Sequence, residues 1–340
     1  MSRHALWPLL AVGVLLIAGS GDPAPLPSAS ASSLTPASVT DSASLAASSR
    51  NPSATPTGAV IAIAPPTTPN TSGAAKVATL DLTRVVVPPG DGALVVIDPG
   101  HGGDEIGAAA FGIVEKDSNL EMGRRVERLL TQAGYRVLLT RHDAGRAVGG
   151  VDGAGQPQGF SAQRRDLQAR IDLANAAGAS VFVSLHSNGL NDPSASGIET
   201  YYNAARPFST YNRLLAQSIQ SNVIAEMTRA GYRVHDRGTL DDACLRAFQG
   251  VCFPLFVLGP PRVTTRDEVL RRGGDPATLG FAAGQDAIAS RATQMPGALA
   301  ELLFVSSTDD ARLLADDGAR EALARGVVLG ISRFLAEQPR

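Results

Sequence analysis

Two histidines and a glutamate carry the strongest chemical signal in this chain. His101 stands in "VVIDPGHGG", where an apolar run stops at a Pro-Gly pair, and His186 stands in "SLHSNG", directly after the apolar run "VFVSL". Glu115 follows His101 by fourteen residues and opens the segment "EKDSNLEMGRRVERLL". The chain has only five histidines in 340 residues, so two of them at the ends of apolar runs need a reason. Imidazole nitrogens and a carboxylate are zinc donors. A catalytic zinc site needs three protein ligands and one open position, and two His with one Glu suffice. Gly100, Gly102 and Gly103 flank His101 and allow a sharp turn there. Plainer readings stand beside this one. A His at a strand end often only hydrogen-bonds, Glu115 is a carboxylate suited to a helix N-terminus, and "DPGHGG" also reads as a tight turn.

For the three groups to meet, the elements that carry them must end at one edge. "GALVVIDPG", "YRVLLTR", "ASVFVSLHSNG", "GIETYYN" and "GALAELLFVSS" read as strands, most of them continuous apolar runs of the kind buried on both faces. Between and after them lie helical patterns. "EKDSNLEMGRRVERLLTQAG" places Leu120, Val126, Leu129 and Leu130 on one side, with Gly134 as its stop. "SAQRRDLQARIDLANAAG" does the same with Leu167, Ile171 and Ala174, with Ser161 as a candidate cap, and further helices are expected in "YNRLLAQSIQSNVIAEMTRAG" and at the C-terminus. Strands alternating with helices predict an α/β fold: an open, doubly wound, mostly parallel sheet with helices on both faces. Sites in such sheets form beyond the carboxyl ends of strands, where His101 and His186 fall.

The N-terminal quarter has a different character. Residues 1–24 begin with Arg3, continue through an apolar run of about fifteen residues interrupted by Pro8 and end in small residues, the layout of a secretory signal peptide. Ser20 stands where a lipoprotein would carry its cysteine, so no lipid is expected. Residues 25–75 are dominated by Ser, Ala, Pro and Thr. Such a segment buries too little apolar surface to offset its ordering entropy and is expected to be a disordered linker. Residues 76–340 are expected to form the catalytic domain. A net charge of −2 argues against a nucleic-acid partner bound through bulk electrostatics. The membrane is expected as a partner only through an uncleaved signal.

Taken in order, "VVIDPGHGG", "VEKDSNL", "SLHSNG" and "ALAELLFVSS" resemble the successive motifs of the zinc-dependent N-acetylmuramoyl-L-alanine amidases of the amidase-3 family. The resemblance implies that His101, Glu115 and His186 bind Zn2+ and that Glu301, in "ALAELLF", is the catalytic glutamate. It implies hydrolysis of the amide bond between N-acetylmuramic acid and L-alanine in peptidoglycan. An exported monomer is expected, acting in the periplasm, at the cell wall or outside the cell, with an activator protein as a further partner. Glu301 also has a plain reading as an edge residue facing solvent, but a carboxylate in an otherwise apolar strand is costly unless it is paired or does chemistry. Competing functions are a wall-binding protein with an inactive amidase fold and another zinc peptidase or deacylase of the envelope.

The chain departs from the family in three places: Leu302-Leu303 after Glu301, the glycine-rich loop "HDAGRAVGGVDGAGQPQG", and an extra stretch before Glu301. In residues 262–294, "TTRDEVLRR" predicts a short helix capped by Thr265 with Glu268 in a capping box. By the same resemblance, this stretch is a candidate lid in which Asp267 or Glu268 approaches the metal; the alternative is a surface excursion packed through Leu270 and Phe281. Asp98 is expected to orient the turn or a zinc-bound histidine, and Arg170 and Asn175 to tie their helix to the sheet edge. His142 and His235 are not expected to be ligands. Cys244 and Cys252, the only cysteines, are expected to pair in an oxidising compartment.

Overall fold

The protein is described by a computed structural model, which covers residues 90, 92–147, 162–243, 246–248, 251–277, 281 and 283–338. The predicted leader, the linker, the arm at 76–87, most of the glycine-rich loop, the Ser161 cap and Cys244 lie outside the described residues. The elements run β1 (Leu94–Pro99), β2 (Ala109–Ala110), β3 (Ile113–Val114), α1 (Glu115–Gln132), β4 (Arg136–Leu139), α2 (Ala162–Ala176), β5 (Val181–Asn188), β6 (Ile198–Tyr202), α3 (Ser209–Arg229), β7 (Asp236–Asp241), β8 (Arg246–Phe248), β9 (Val251–Phe253), β10 (Arg262–Thr265), α4 (Arg266–Arg271), β11 (Ala287–Ser290), β12 (Gly297–Phe304), α5 (Thr308–Ala315) and α6 (Asp317–Ala336). Among the described residues no helix is long and apolar enough to cross a membrane.

Six strands form the central sheet in the order β4-β1-β5-β12-β6-β7. The pairs β1–β4, β1–β5 and β5–β12 are parallel, whereas β12–β6 is antiparallel and β6–β7 parallel. The expected mostly parallel sheet is therefore present, with its last two strands reversed. That reversal sets the geometry of the site: the edge holding the carboxyl ends of β1, β5 and β12 also holds the amino ends of β6 and β7.

Alternation along the strands divides the apolar residues between two layers. Val95, Ile97, Val183, Leu185, Ala300 and Leu302 face one core with α1, α3 and α6; Leu94, Val96, Phe182 and Leu299 face the other, where α2 supplies Leu173 and Ala174. Helices α3 and α6 meet closely because Gly326 and Gly330 carry no side chain. A Cβ at either position would lie 2.4–2.5 Å from the Cα of Val223 or Ile219.

The extra stretch before β12 forms a hairpin of β10 and β11 with α4. Thr265 caps α4 by accepting a hydrogen bond from the Glu268 amide, as expected. The reciprocal half of the box is missing, because the Glu268 carboxylate pairs with Arg262 and Arg272. Val269, Phe281 and Ile288 form a small core of their own. Leu270, expected to pack inward, is 54% exposed, because the inward face of this short helix falls on Val269. Arg291 ties the stretch to Asp172 and Gln168 of α2. These partners give Glu268 a structural role and leave the lid reading without support from its contacts.

Candidate active site

His101 sits one residue beyond Gly100, where β1 has ended and the Gly100 amide still donates to the Leu185 carbonyl of β5. Its backbone is left-handed, φ 62°, a conformation costly for a non-glycine residue and maintained by the surroundings. Two buried arginines hold it. Arg170 of α2 donates to the carbonyls of Pro99 (2.8 Å) and His101 (2.6 Å), and Arg141 to those of Pro99 (2.8 Å) and Gly100 (2.9 Å). Beneath the turn, Asp98 pairs with Arg170 at 2.7 Å and accepts from Thr140 and Ser184. Burial disfavours the Asp98 charge, but Arg170 and the two hydroxyls outweigh it and hold its carboxyl below the usual range. Asp98 thus orients the turn through α2 and does not touch either histidine ring.

Glu115 is the first residue of α1, placed there by the β2–β3 hairpin. Its Oε1 lies 2.8 Å from His101 Nε2 and 3.0 Å from His186 Nδ1, while its Oε2 accepts from the Ala108 amide at 2.8 Å. His186, near the end of β5, meets His101 edge to face with centroids 4.8 Å apart. Gly100 makes this possible, since a Cβ there would lie 2.1 Å from His186 Nε2. The donor atoms of His101, Glu115 and His186 all lie within 4.8 Å of one another. Burial opposes charge on each of them. On His101 the hydrogen bonds with Glu105 and Glu115 prevail and lift it to about 10; on Glu115 the two histidines prevail and lower it to about 2; on His186 burial and the neighbouring His101 prevail and lower it.

Glu105 was not singled out in the sequence. Its carboxylate contacts His101 Nδ1, on the far side of the ring from Glu115. A carboxylate on the second nitrogen fixes the tautomer and orientation of a metal-binding imidazole. Its only sequence signal is a position four residues past His101 on the same turn.

Glu301 lies on β12 in register with His186 on β5 and, across the antiparallel side, with Glu199 on β6. Its Oε2 is buried with no hydrogen-bond partner among the described residues. Burial, then the charges of Glu115 and Glu199, push its carboxyl well above the usual range. The strand is irregular just beyond it: the register shifts between Glu301 and Phe304, and Leu303 is left-handed at φ 74°. Leu302 and Leu303 point into the core shared with α1, α3 and α6, so this departure from the family pattern falls in packing. His142 and His235 are exposed and stand outside the cluster. Asn175 joins α2 to the segment before β12 through Ala292 and Gln294.

The donor set fits zinc: two imidazole nitrogens and a carboxylate oxygen converge, and an outer carboxylate contacts one ring. His101 Nε2 and Glu115 Oε1 face each other at 2.8 Å, and a cation entering the cluster would displace the proton between them. Glu301, one strand away with its Oε2 buried and unpartnered among the described residues, is the candidate general base of such a site.

An open doubly wound sheet whose strand ends bring together a His-Glu-His cluster able to hold a metal ion, with a glutamate one strand away, defines a hydrolase type of fold and site. The chain belongs to the N-acetylmuramoyl-L-alanine amidase family, amidase-3, whose sequence model matches residues 95–333. The germination-specific N-acetylmuramoyl-L-alanine amidase of Bacillus subtilis is 31% identical over 154 residues, 43% of this chain and 60% of that protein. AmiC of Neisseria meningitidis is 28% identical over 251 residues, 71% of this chain and 52% of its own length. Both matches span less than two thirds of the relative. Among solved structures, the CwlD amidase from Clostridioides difficile, in complex with the GerS lipoprotein, has a TM-score of 0.51 at 20% identity, covering 72% of this chain and 100% of that one. That likeness shows the fold.

Proposed function

We propose that this chain is a zinc-dependent amidase that hydrolyses the bond between the lactyl group of N-acetylmuramic acid and L-alanine of the stem peptide. The observation that carries this is the convergence of His101, Glu115 and His186, with Glu301 in register beside His186, at one sheet edge. When bound, zinc supplies a Lewis acid that polarises the scissile carbonyl and acidifies water. His101, Glu115 and His186 would hold it, with Glu105 fixing the His101 ring and Arg170 its backbone. Glu301 takes the proton of the attacking water and returns it to the leaving nitrogen. The new C–O bond and the broken C–N bond leave a muramic acid carboxylate and a peptide with a free amino terminus. The Glu301 carboxyl, held up by burial and by the charges of Glu115 and Glu199, would be free to ionise and serve as the base once a cation is held by His101, Glu115 and His186. The same reading makes residues 1–24 an export signal, residues 25–75 a tether and residues 76–340 the catalytic domain. The basic start, the apolar run and the Ser, Ala, Pro and Thr composition support it.

Digestion of purified peptidoglycan followed by mass spectrometry tests the activity. Release of stem peptides beginning with free L-alanine is expected, and an unaltered wall with a zinc-loaded protein would mark a binding module. Glu301→Gln is expected to keep zinc and lose about 10²–10⁴ in rate. The double variant His101→Ala/His186→Ala is expected to lose both; full metal occupancy there would reject these ligands.

A further inference from the structure

The start of β7 places an arginine at the site edge that the hydrolytic step does not use. Ile198 pairs with Asp236 and Glu199 with Gly238, so Arg237 is the extra residue between two registered pairs, and Gly238 takes φ 83°. Such a bulge bends a strand and re-aims the side chain it carries. Arg237 turns back across β6 toward β12. Its Nε donates to Glu199 Oε2 at 2.6 Å, and its guanidinium lies over the Phe304 ring, 5.1 Å from the centroid.

Glu199 is a rigid brace. It is 3% exposed, and its other oxygen accepts from Asn188 Nδ2 and the Tyr201 hydroxyl, each at 2.8 Å. Arg237, by contrast, keeps 31% of its side chain open. Among the described residues its two terminal nitrogens have no hydrogen-bond partner. A guanidinium held by Nε and by an aromatic face, part-exposed and with its remaining N–H groups unpartnered among the described residues, suits a planar anion such as a carboxylate. The position relative to the chemistry is favourable. Glu199 is in register with Glu301, and β7 lies two strands from β12, about 10 Å at about 4.8 Å per strand. A peptide residue spans about 3.5 Å, so a stem residue next to L-alanine comes within the arm of an arginine that already folds back over β12.

We propose that Arg237, braced by Glu199 and Phe304, binds the free carboxylate of the stem-peptide residue that follows L-alanine and so sets the enzyme's preference among stem peptides. This rests on the amidase reading. The test compares N-acetylmuramoyl-L-alanyl-D-glutamate with N-acetylmuramoyl-L-alanyl-D-isoglutamine, in which that carboxylate is a carboxamide, on the zinc-loaded wild-type chain. The carboxylate substrate is expected to have the higher kcat/KM by about 10- to 100-fold, the worth of a charge-assisted hydrogen bond, mostly through a lower KM. Arg237→Gln should bring it down to the amide's value, and Arg237→Lys should recover part of the loss. Equal kcat/KM for the two substrates on the wild type overturns the subsite and leaves the amidase standing. Should the variants not fold, calorimetric binding of L-alanyl-D-glutamate and L-alanyl-D-isoglutamine to the wild type decides the matter: tighter binding of the carboxylate peptide supports the subsite and equal binding rejects it. A wild type that cleaves neither substrate yet binds the carboxylate peptide more tightly would reject the amidase and keep the subsite.

Discussion

Gly100 shows how little room the two histidine-bearing turns leave each other. A methyl group there would lie 2.1 Å from His186 Nε2, well inside van der Waals contact, so the imidazole must move away from Glu115. Gly100→Ala is expected to weaken zinc binding by at least about tenfold, the scale seen when a ligand's support is lost. The thermal midpoint should change little, because the clash is with a part-exposed ring at the sheet edge and not with the core. Competition with a chelator alongside a melting curve separates the two effects, and wild-type affinity would mean that the ring relaxes without cost. At this scale the sequence pointed to the three converging side chains but not to Glu105 beside them. Glu105 reaches His101 only because the turn is left-handed at His101, a backbone state no residue type announces.

Helix α2 is tied to the site through one side chain. Arg170 joins it to Asp98 on β1 and to the carbonyls of Pro99 and His101 through a fully buried guanidinium. Buried ion pairs contribute little net stability against apolar replacements, but breaking one leaves an uncompensated charge. Arg170→Met is therefore expected to cost about 3–5 kcal/mol, with lowered zinc affinity because the His101 backbone is released. Replacing Asp98 as well, in Asp98→Leu/Arg170→Met, should recover part of the stability but not the affinity. Chemical denaturation and metal titration of the two variants test this, and a double variant no more stable than the single would refute the unpaired-charge explanation. The helices and five strands of the central sheet were legible from their apolar spacing, whereas β7 and the short strands outside that sheet were not. The direction of β6 was not, since "GIETYYN" reads the same whichever way it enters the sheet.

At the scale of the whole molecule, the buried carboxylate of Asp242 links stability to pH. Asp242 is fully buried between Asn203 and the Leu255 amide, and burial pushes its carboxyl up from 3.8 to about 6 despite those hydrogen bonds. The folded chain therefore holds this proton more tightly than the unfolded one. Stability from this group is greatest below about 4 and falls as pH rises to about 6, by roughly 3 kcal/mol in all. Asp242→Asn removes the titration. Denaturant midpoints at pH 4.5 and 6.5 should fall more for the wild type than for the variant, and parallel changes would clear Asp242 of the effect.

The sequence by itself determined the fold class and pointed to the candidate donors. Residues able to bind zinc are few, the apolar runs "LVVIDPG" and "VFVSL" end where two of them stand, and strand–helix alternation admits few topologies. Only the tertiary structure decided what those residues touch. Glu199 and Arg237 stand 38 positions apart in the chain, in segments with no motif to connect them. They meet beside Glu301 because β6 enters the sheet antiparallel to β12 and β7 carries a bulge at Arg237. Strand direction and register depend on contacts summed over the whole sheet, so local composition leaves them open.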